Sequence, residues 1–228
     1  MARPWAVERE VGSAAAFHVR ELPEPVHRSI SVLEVDRPTL VLGSTQAPSV
    51  ADGAALSEAR VDLVRRRSGG GAVLLVPGET LWVDAVIPRA DPLWDDDVGH
   101  ATHWLGRCWA GALGDLGAGA RVHTGALVRT RWSSLVCFAA LGPGEVSVGG
   151  RKVVGIAQRR TRAGARFQCA LHRWWRPASL ISLLRLDEGS AALATAELAG
   201  VADGLDRPFE DVVDALLSQI GAAGGAAS

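Results

Sequence analysis

Residues 145–158 dictate an antiparallel hairpin. Glu145-Val-Ser-Val148 and Arg151-Lys-Val-Val-Gly-Ile-Ala-Gln158 are strand-like runs with only Gly149-Gly150 between them. A two-residue connection of this kind demands a primed turn, whose positive φ angles glycine adopts without steric cost. A third strand, Arg166 to Trp174, returns after Arg162-Ala-Gly164. Earlier apolar runs extend the pattern: Ser29–Val35 and Thr39–Gly43 around Asp36-Arg37-Pro38, then Val61–Val64, Ala72–Val76, and Thr80–Ile87 after Pro77-Gly78. Leu135–Leu141 reads as a further strand, stopped by Gly142-Pro143-Gly144.

Helices fill the rest. Ala51–Arg60 is a short helix candidate, and Asp95-Asp96-Asp97 opens a longer one running to about Gly117. The acidic residues suit its N-terminal dipole, and Gly117 suits the residue just past its end. Val98, Leu105, Trp109, Ala112, Leu113 and Leu116 give it an apolar stripe. Ala191–Val201 and Phe209–Ile220 follow within a helical segment at 178–220, and a flexible Gly/Ala/Ser tail is expected at 221–228. The pattern predicts one α+β domain over 1–228, with a mostly antiparallel sheet flanked by helices.

Composition excludes several functions. A formal net charge of −1 argues against nucleic acid as the main partner. No run of about 18 apolar residues offers a membrane span, and Met1–Glu21 lacks the apolar core of a signal peptide. Cys108, Cys137 and Cys169 are odd in number and widely spaced, which points to a reducing cytoplasm rather than a disulfide framework. His100 and His103 lie three apart, with Cys108 beyond, but no disciplined third ligand follows, so no metal site is expected.

Two stretches carry chemistry. In Arg65-Arg66-Arg67-Ser68-Gly69-Gly70-Gly71-Ala72-Val73, three glycines allow close backbone approach to a ligand and leave amides available to an anion. The arginines add forked donors for phosphate or carboxylate. No Gly-Lys-Ser/Thr follows, so this is not a P-loop. The second stretch is the hairpin strand itself. A period of two sets Lys152, Val154, Ile156 and Gln158 on one face, an ammonium and a carboxamide beside apolar side chains. Gly155 within the strand suggests close approach by a ligand or backbone. Lys152 is the sole lysine among 24 Lys and Arg residues.

In this order and spacing the two stretches resemble the lipoate–protein ligase family, whose catalytic domain is shared with biotin–protein ligases and octanoyltransferases. Pro38-Thr-Leu-Val-Leu-Gly-Ser-Thr-Gln46 resembles an early strand of that family, and the likeness spans about residues 35–175. It implies a class II synthetase-like biotinyl/lipoyl-transferase domain that acylates a lysine of a carrier domain with lipoate or octanoate. The implied ligase route forms an acyl-adenylate from ATP and Mg2+. Lys152 would hold carboxylate and α-phosphate, Arg66 the nucleotide phosphates, and Ser68, Gly69, Gly70, Gly71, Ala72 and Val73 the acyl chain and adenylate. Gly155 and Gln158 would complete the binding site.

Three family positions differ. Leu75-Val76-Pro77-Gly78 stands where the family often has His-Asp and Gly-Asn, Arg131-Trp132-Ser133-Ser134 lacks its Asn-Asp pair, and Cys169-Ala170 replaces its His-Gly. Cys137-Phe138, in turn, resembles the Cys-Phe of an octanoyltransferase group in which cysteine takes the acyl chain from an acyl-carrier-protein thioester. That route needs no cofactor, and Lys152 would favour the thiolate or stabilise the oxyanion. The ATP route ranks first, the Cys137 route second, and a non-catalytic acyl- or carrier-binding relative third. The implied partners are a lipoyl-domain or glycine-cleavage H-type carrier and, for the thioester route, acyl carrier protein. Arg159, Arg160, Arg162 and Arg166 form either a solvated tip or a basic dock for such a carrier.

Overall fold

A computed structural model describes residues 4–225. The chain opens with strand β1 (Ala6–Gly12) and helix α1 (Ala14–Val19). Then come β2 (Ser29–Val35), β3 (Thr39–Leu42), helix α2 (Gly53–Ala59), β4 (Asp62–Arg65), β5 (Val73–Leu75) and β6 (Thr80–Pro88). Helix α3 (His103–Asp115) leads to β7 (Ala120–Val122), β8 (Val128–Arg129), β9 (Ala140–Leu141) and β10 (Val146–Val148). Strands β11 (Arg151–Arg160) and β12 (Gly164–His172) follow, then helices α4 (Pro177–Ile181), α5 (Glu188–Leu198) and α6 (Phe209–Gly225).

A seven-stranded sheet runs in the order β1-β2-β6-β12-β11-β10-β7 and is antiparallel except for β1 on β2. A three-stranded sheet, β4-β3-β5, lies beside it, with β8 and β9 as a separate pair. The expected α+β architecture with a mostly antiparallel sheet is therefore present. Helices α3 and α6 cover one face of the large sheet, burying Leu105, Trp109, Val213 and Leu216 against Val83, Phe167 and Leu171. On the small sheet, Leu40 and Leu42 of β3 meet Leu180 and Ile181 of α4 and Leu198 of α5. A third cluster joins the sheets: Phe17 of α1, Trp82 of β6, Val41, Val73 and Phe138. It forms the inner wall of the cavity described below.

Several expectations need correcting. The helix drawn from Asp95 begins at His103, because the aspartates close turns instead: Asp95 Oδ1 accepts from Asp97 N, and Asp97 Oδ1 from Gly99 N. Val98 is consequently exposed rather than part of the stripe. Gly117 does follow the helix end with φ +82. The strand drawn over Leu135–Leu141 is broken by a 3-10 turn at Cys137–Ala139. Residues 221–225 of the expected tail are helical, and 226–228, like 1–3, lie outside the described residues. No helix among the described residues is long and apolar enough to cross a membrane.

Candidate active site

Gly149 and Gly150 turn the hairpin with φ +57 and +81, the two positive angles a primed turn needs. Just beyond the turn the pairing slips: Val146 faces Val154, while Ser147 faces Lys152. This bulge sends both Val153 and Val154 into the helix-covered core. The bulge therefore parts Val154, which packs in the core, from Lys152, whereas Lys152, Ile156 and Gln158 still line one cavity. Lys152 shares a side with Gly155, where an added Cβ would stand 3.3 Å from Lys152 Cε and 3.4 Å from Phe138 Cε2. Glycine leaves the room through which the lysine stem passes.

Lys152 is only 2 % exposed. Its ammonium is 2.7 Å from Glu145 Oε2 and donates to Ala140 O at 3.0 Å and Cys137 O at 3.2 Å. It also lies 4.9 Å from the centre of the Phe138 ring, a favourable cation–π distance. The main chain of Lys152 is clamped as well, its N–H donating to Val201 O and its carbonyl accepting from Asp203 N. The turn that interrupts the predicted strand explains this arrangement, since it aims the carbonyls of residues 137 and 140 at one ammonium.

Cys137 reaches the same cavity through the glycine loop. Ala72 N donates to Leu135 O and Cys137 N to Ala72 O, so one residue of the loop is laced to the segment that carries the cysteine. Gly71 makes this possible, because a Cβ there would stand 2.5 Å from the Val136 backbone. Arg66 braces the loop from within. It is buried, and its guanidinium donates to Gly69 O and Gly71 O at 2.8 Å each and to Val41 O at 3.5 Å. Gln46 ties β3 to the cysteine segment, accepting from Gly43 N and donating to Ser134 O and Leu135 O.

Together these elements wall a cavity of about 610 Å³. Val73, Leu75, Trp82 and Phe138 give it apolar walls, with Cys137, Lys152 and Glu145 at its polar side. Of the predicted site residues, Arg66, Ser68, Gly69, Gly70, Gly71, Val73, Cys137, Lys152, Gly155 and Gln158 all line it. Ala72 does not; it acts through its main chain. Gln158 belongs to the rim, donating to Val98 O. Glu145, His18 and Gln168 also line the cavity, and the sequence reading passed over them. The His18 ring lies 4.6 Å from that of Trp82, tilted by 34°, and burial first, then the Arg66 and Arg166 charges, hold its pKa down to about 3.

The proposed basic dock is largely tied up. Arg159 pairs with Glu21, Arg160 donates to Asp95 O and lies over Trp94, and Arg166 is buried against Asp84. Trp175 stacks on Phe138 in the core, whereas Trp174 is partly exposed. Cys169 lies in the helix-side core, where burial raises its thiol pKa, and Cys108 is likewise pushed up to about 11. Among the described residues, no group of three or more His, Cys, Asp or Glu is placed to hold a metal ion.

Comparison with known proteins identifies relatives of this chain. The lipoyl protein ligase A/B catalytic domain matches residues 7–196. An octanoyltransferase LipM of Moorella thermoacetica is 35% identical over 126 residues, 54% of this chain and 45% of the relative. The match therefore spans about half the length of that curated protein. A bipartite lipoate protein ligase of Thermoplasma acidophilum, studied with its E2 lipoyl domain, has a TM-score of 0.74 at 16% identity, over 96% of this chain and 82% of that one. A lipoate-protein ligase A bound with ATP gives the same TM-score and identity, over 98% and 85% of the two chains. At that identity the likeness is one of fold.

Proposed function

This chain belongs to the lipoyl protein ligase A/B catalytic-domain family, and from that premise we propose that it moves an octanoyl or lipoyl group from a thioester to a lysine of a small carrier domain through an acyl-thioester on Cys137. The observation that carries this reading is the shared cavity of Cys137 and Lys152, in which the lysine ammonium bonds the cysteine's own carbonyl. The apolar walls suit an acyl chain of modest length, and the described chain acts as one catalytic unit.

The chemistry proceeds in two exchanges. The Cys137 thiol gives up its proton and its thiolate attacks the carbonyl carbon of the incoming thioester. A new C–S bond forms, the donor's C–S bond breaks, and the donor sulfur leaves and takes up that proton. The carrier lysine's free amine then attacks the same carbon, forming the amide and returning the Cys137 thiol. Lys152 holds the turn that presents Cys137 and brings a positive charge to the wall where the oxyanion develops. The apolar lining keeps water from the thioester.

An ATP-dependent route has less in its favour. Glu145 is the only carboxylate lining the cavity among the described residues, and Lys152 and two main-chain N–H groups already occupy it. The fork of Arg66, expected on nucleotide phosphates, is engaged by carbonyls of its own loop. These engagements favour the thioester route over one that binds Mg·ATP. The test is transfer of octanoate from acyl carrier protein to a lipoyl domain without ATP. Cys137→Ser is expected to abolish it, and full activity of that variant would refute the reading.

A further inference from the structure

His18 lines the cavity beside Trp82, only 9 % exposed, and neither of its ring nitrogens has a hydrogen-bond partner among the described residues. Ser68 of the glycine loop lines it as well, 8 % exposed, and its Oγ also lacks a partner among them. Most buried polar side-chain atoms in proteins are bonded, so these stand out. The groups around the imidazole are already engaged. Trp82 Nε1 donates to Asp84 Oδ1, and Arg66 donates to carbonyls of its own loop. Arg166 donates to Asp84 Oδ2, Phe17 O and Arg20 O. Those two carbonyls flank His18 in the chain, so Arg166 also pins the end of α1 that carries it.

A neutral imidazole offers one N–H donor and one lone pair, whichever nitrogen holds the proton. Burial first, then the Arg66 and Arg166 charges, keep His18 in that form at pH 7, with a pKa of about 3. Water entering the cavity serves both nitrogens, but an acyl chain displaces it. A plain hydrocarbon chain gives no hydrogen bond back, which leaves buried polar atoms unpaired. A hydroxyl on the chain is donor and acceptor at once, so it suits either nitrogen in either tautomer, and Ser68 Oγ equally. We propose that His18 is a specificity-determining residue, selecting acyl groups that carry a hydroxyl along the chain over plain saturated ones. The inference rests on the Cys137 thioester proposed above and names the class of acyl group that this route prefers.

The experiment supplies the enzyme with N-acetylcysteamine thioesters and times adduct formation on Cys137 by intact mass. One donor carries octanoyl. The others carry octanoyl hydroxylated at each carbon from the middle of the chain to its end, far enough from the carbonyl to leave its reactivity unchanged. At least one hydroxylated isomer is expected to acylate wild type about tenfold or more faster than octanoyl, the factor that separates a paired from an unpaired buried polar group. His18→Phe keeps a ring without polar atoms and is expected to bring that ratio close to one, mainly by accelerating octanoyl. The ratio is taken within each variant, so a loss of folded protein does not imitate the effect. Should His18→Phe fail to fold, His18→Leu makes the same test. Octanoyl reacting as fast as every hydroxylated isomer in wild type overturns the inference, and so does a preference that survives removal of the imidazole. Either result leaves the thioester reading intact, whereas no Cys137 adduct from any donor removes both.

Discussion

Gly43 and Gly70 meet through backbone alone. A Cβ on Gly43 would stand 1.8 Å from the Gly70 carbonyl oxygen, so the end of β3 is pressed directly onto the glycine loop. Gly71 is also tight, with a Cβ there 2.5 Å from the Val136 backbone, whereas Gly69 has nothing within 4 Å. Alanine at position 43 or 71 must therefore displace main chain, at a cost of about 1–3 kcal/mol or more. Gly69→Ala should change stability by less than about 0.5 kcal/mol. Urea unfolding of the three variants checks the ranking, and equal losses would contradict it.

Arg66 carries the next prediction. Its planar fork serves Gly69 O, Gly71 O and Val41 O at once, a geometry that a lysine point charge cannot reproduce. Arg66→Lys is expected to lose about 1.5–3 kcal/mol, the worth of a hydrogen bond to a charged group, and to loosen the loop. Faster proteolysis within residues 66–71 is the readout. Unchanged proteolysis and stability would assign the arginine to a ligand instead.

The buried pair of Lys152 and Glu145, with side chains 2% and 9% exposed, should be strongly coupled in stability. Lys152→Met leaves a carboxylate buried without its partner, which costs about 3–5 kcal/mol. Adding Glu145→Gln removes that charge, so the double variant should be more stable than Lys152→Met alone. A double-mutant cycle with no coupling would contradict the pairing.

Two histidines predict an acid sensitivity. His18 is held down to about 3 by burial and then by Arg66 and Arg166, and His172 to about 4 by burial and then by Lys152, both from an ordinary 6.5. Protons therefore bind the unfolded chain first. Stability is whole above pH 6.5 and falls as pH drops toward 4, by up to about 1.4 kcal/mol per pH unit for each histidine. The urea midpoint at pH 7 should exceed that at pH 5, and His172→Gln should shrink the difference. A flat profile would contradict the burial.

Much of this was legible in the chain. Gly149-Gly150 announces the hairpin because few other residues take two positive φ angles in succession, and the run at 80–87, apolar but for Thr80 and Asp84, reads as a strand. Strand β1 was missed because its Glu8, Arg9 and Glu10 lie on an exposed edge and show no apolar alternation. Helix α1 was missed because six residues are too few for a helical period. The three aspartates at 95–97 look like a helix start, yet their side chains close turns. Glu145 was read as a mere strand start, because a bulge, which shifts the register by one residue, is what brings Lys152 beside it. Neither the bulge nor the 3-10 turn at Cys137 leaves a mark in apolar periodicity.

The central claim is that Cys137 carries the acyl group. Its most direct test is the intact mass of wild-type protein after mixing with octanoyl acyl carrier protein in the absence of ATP. The account predicts one added octanoyl group that hydroxylamine removes and that Cys137→Ala cannot form. No adduct under these conditions, with an acyl-adenylate forming instead from lipoate and ATP, would contradict it.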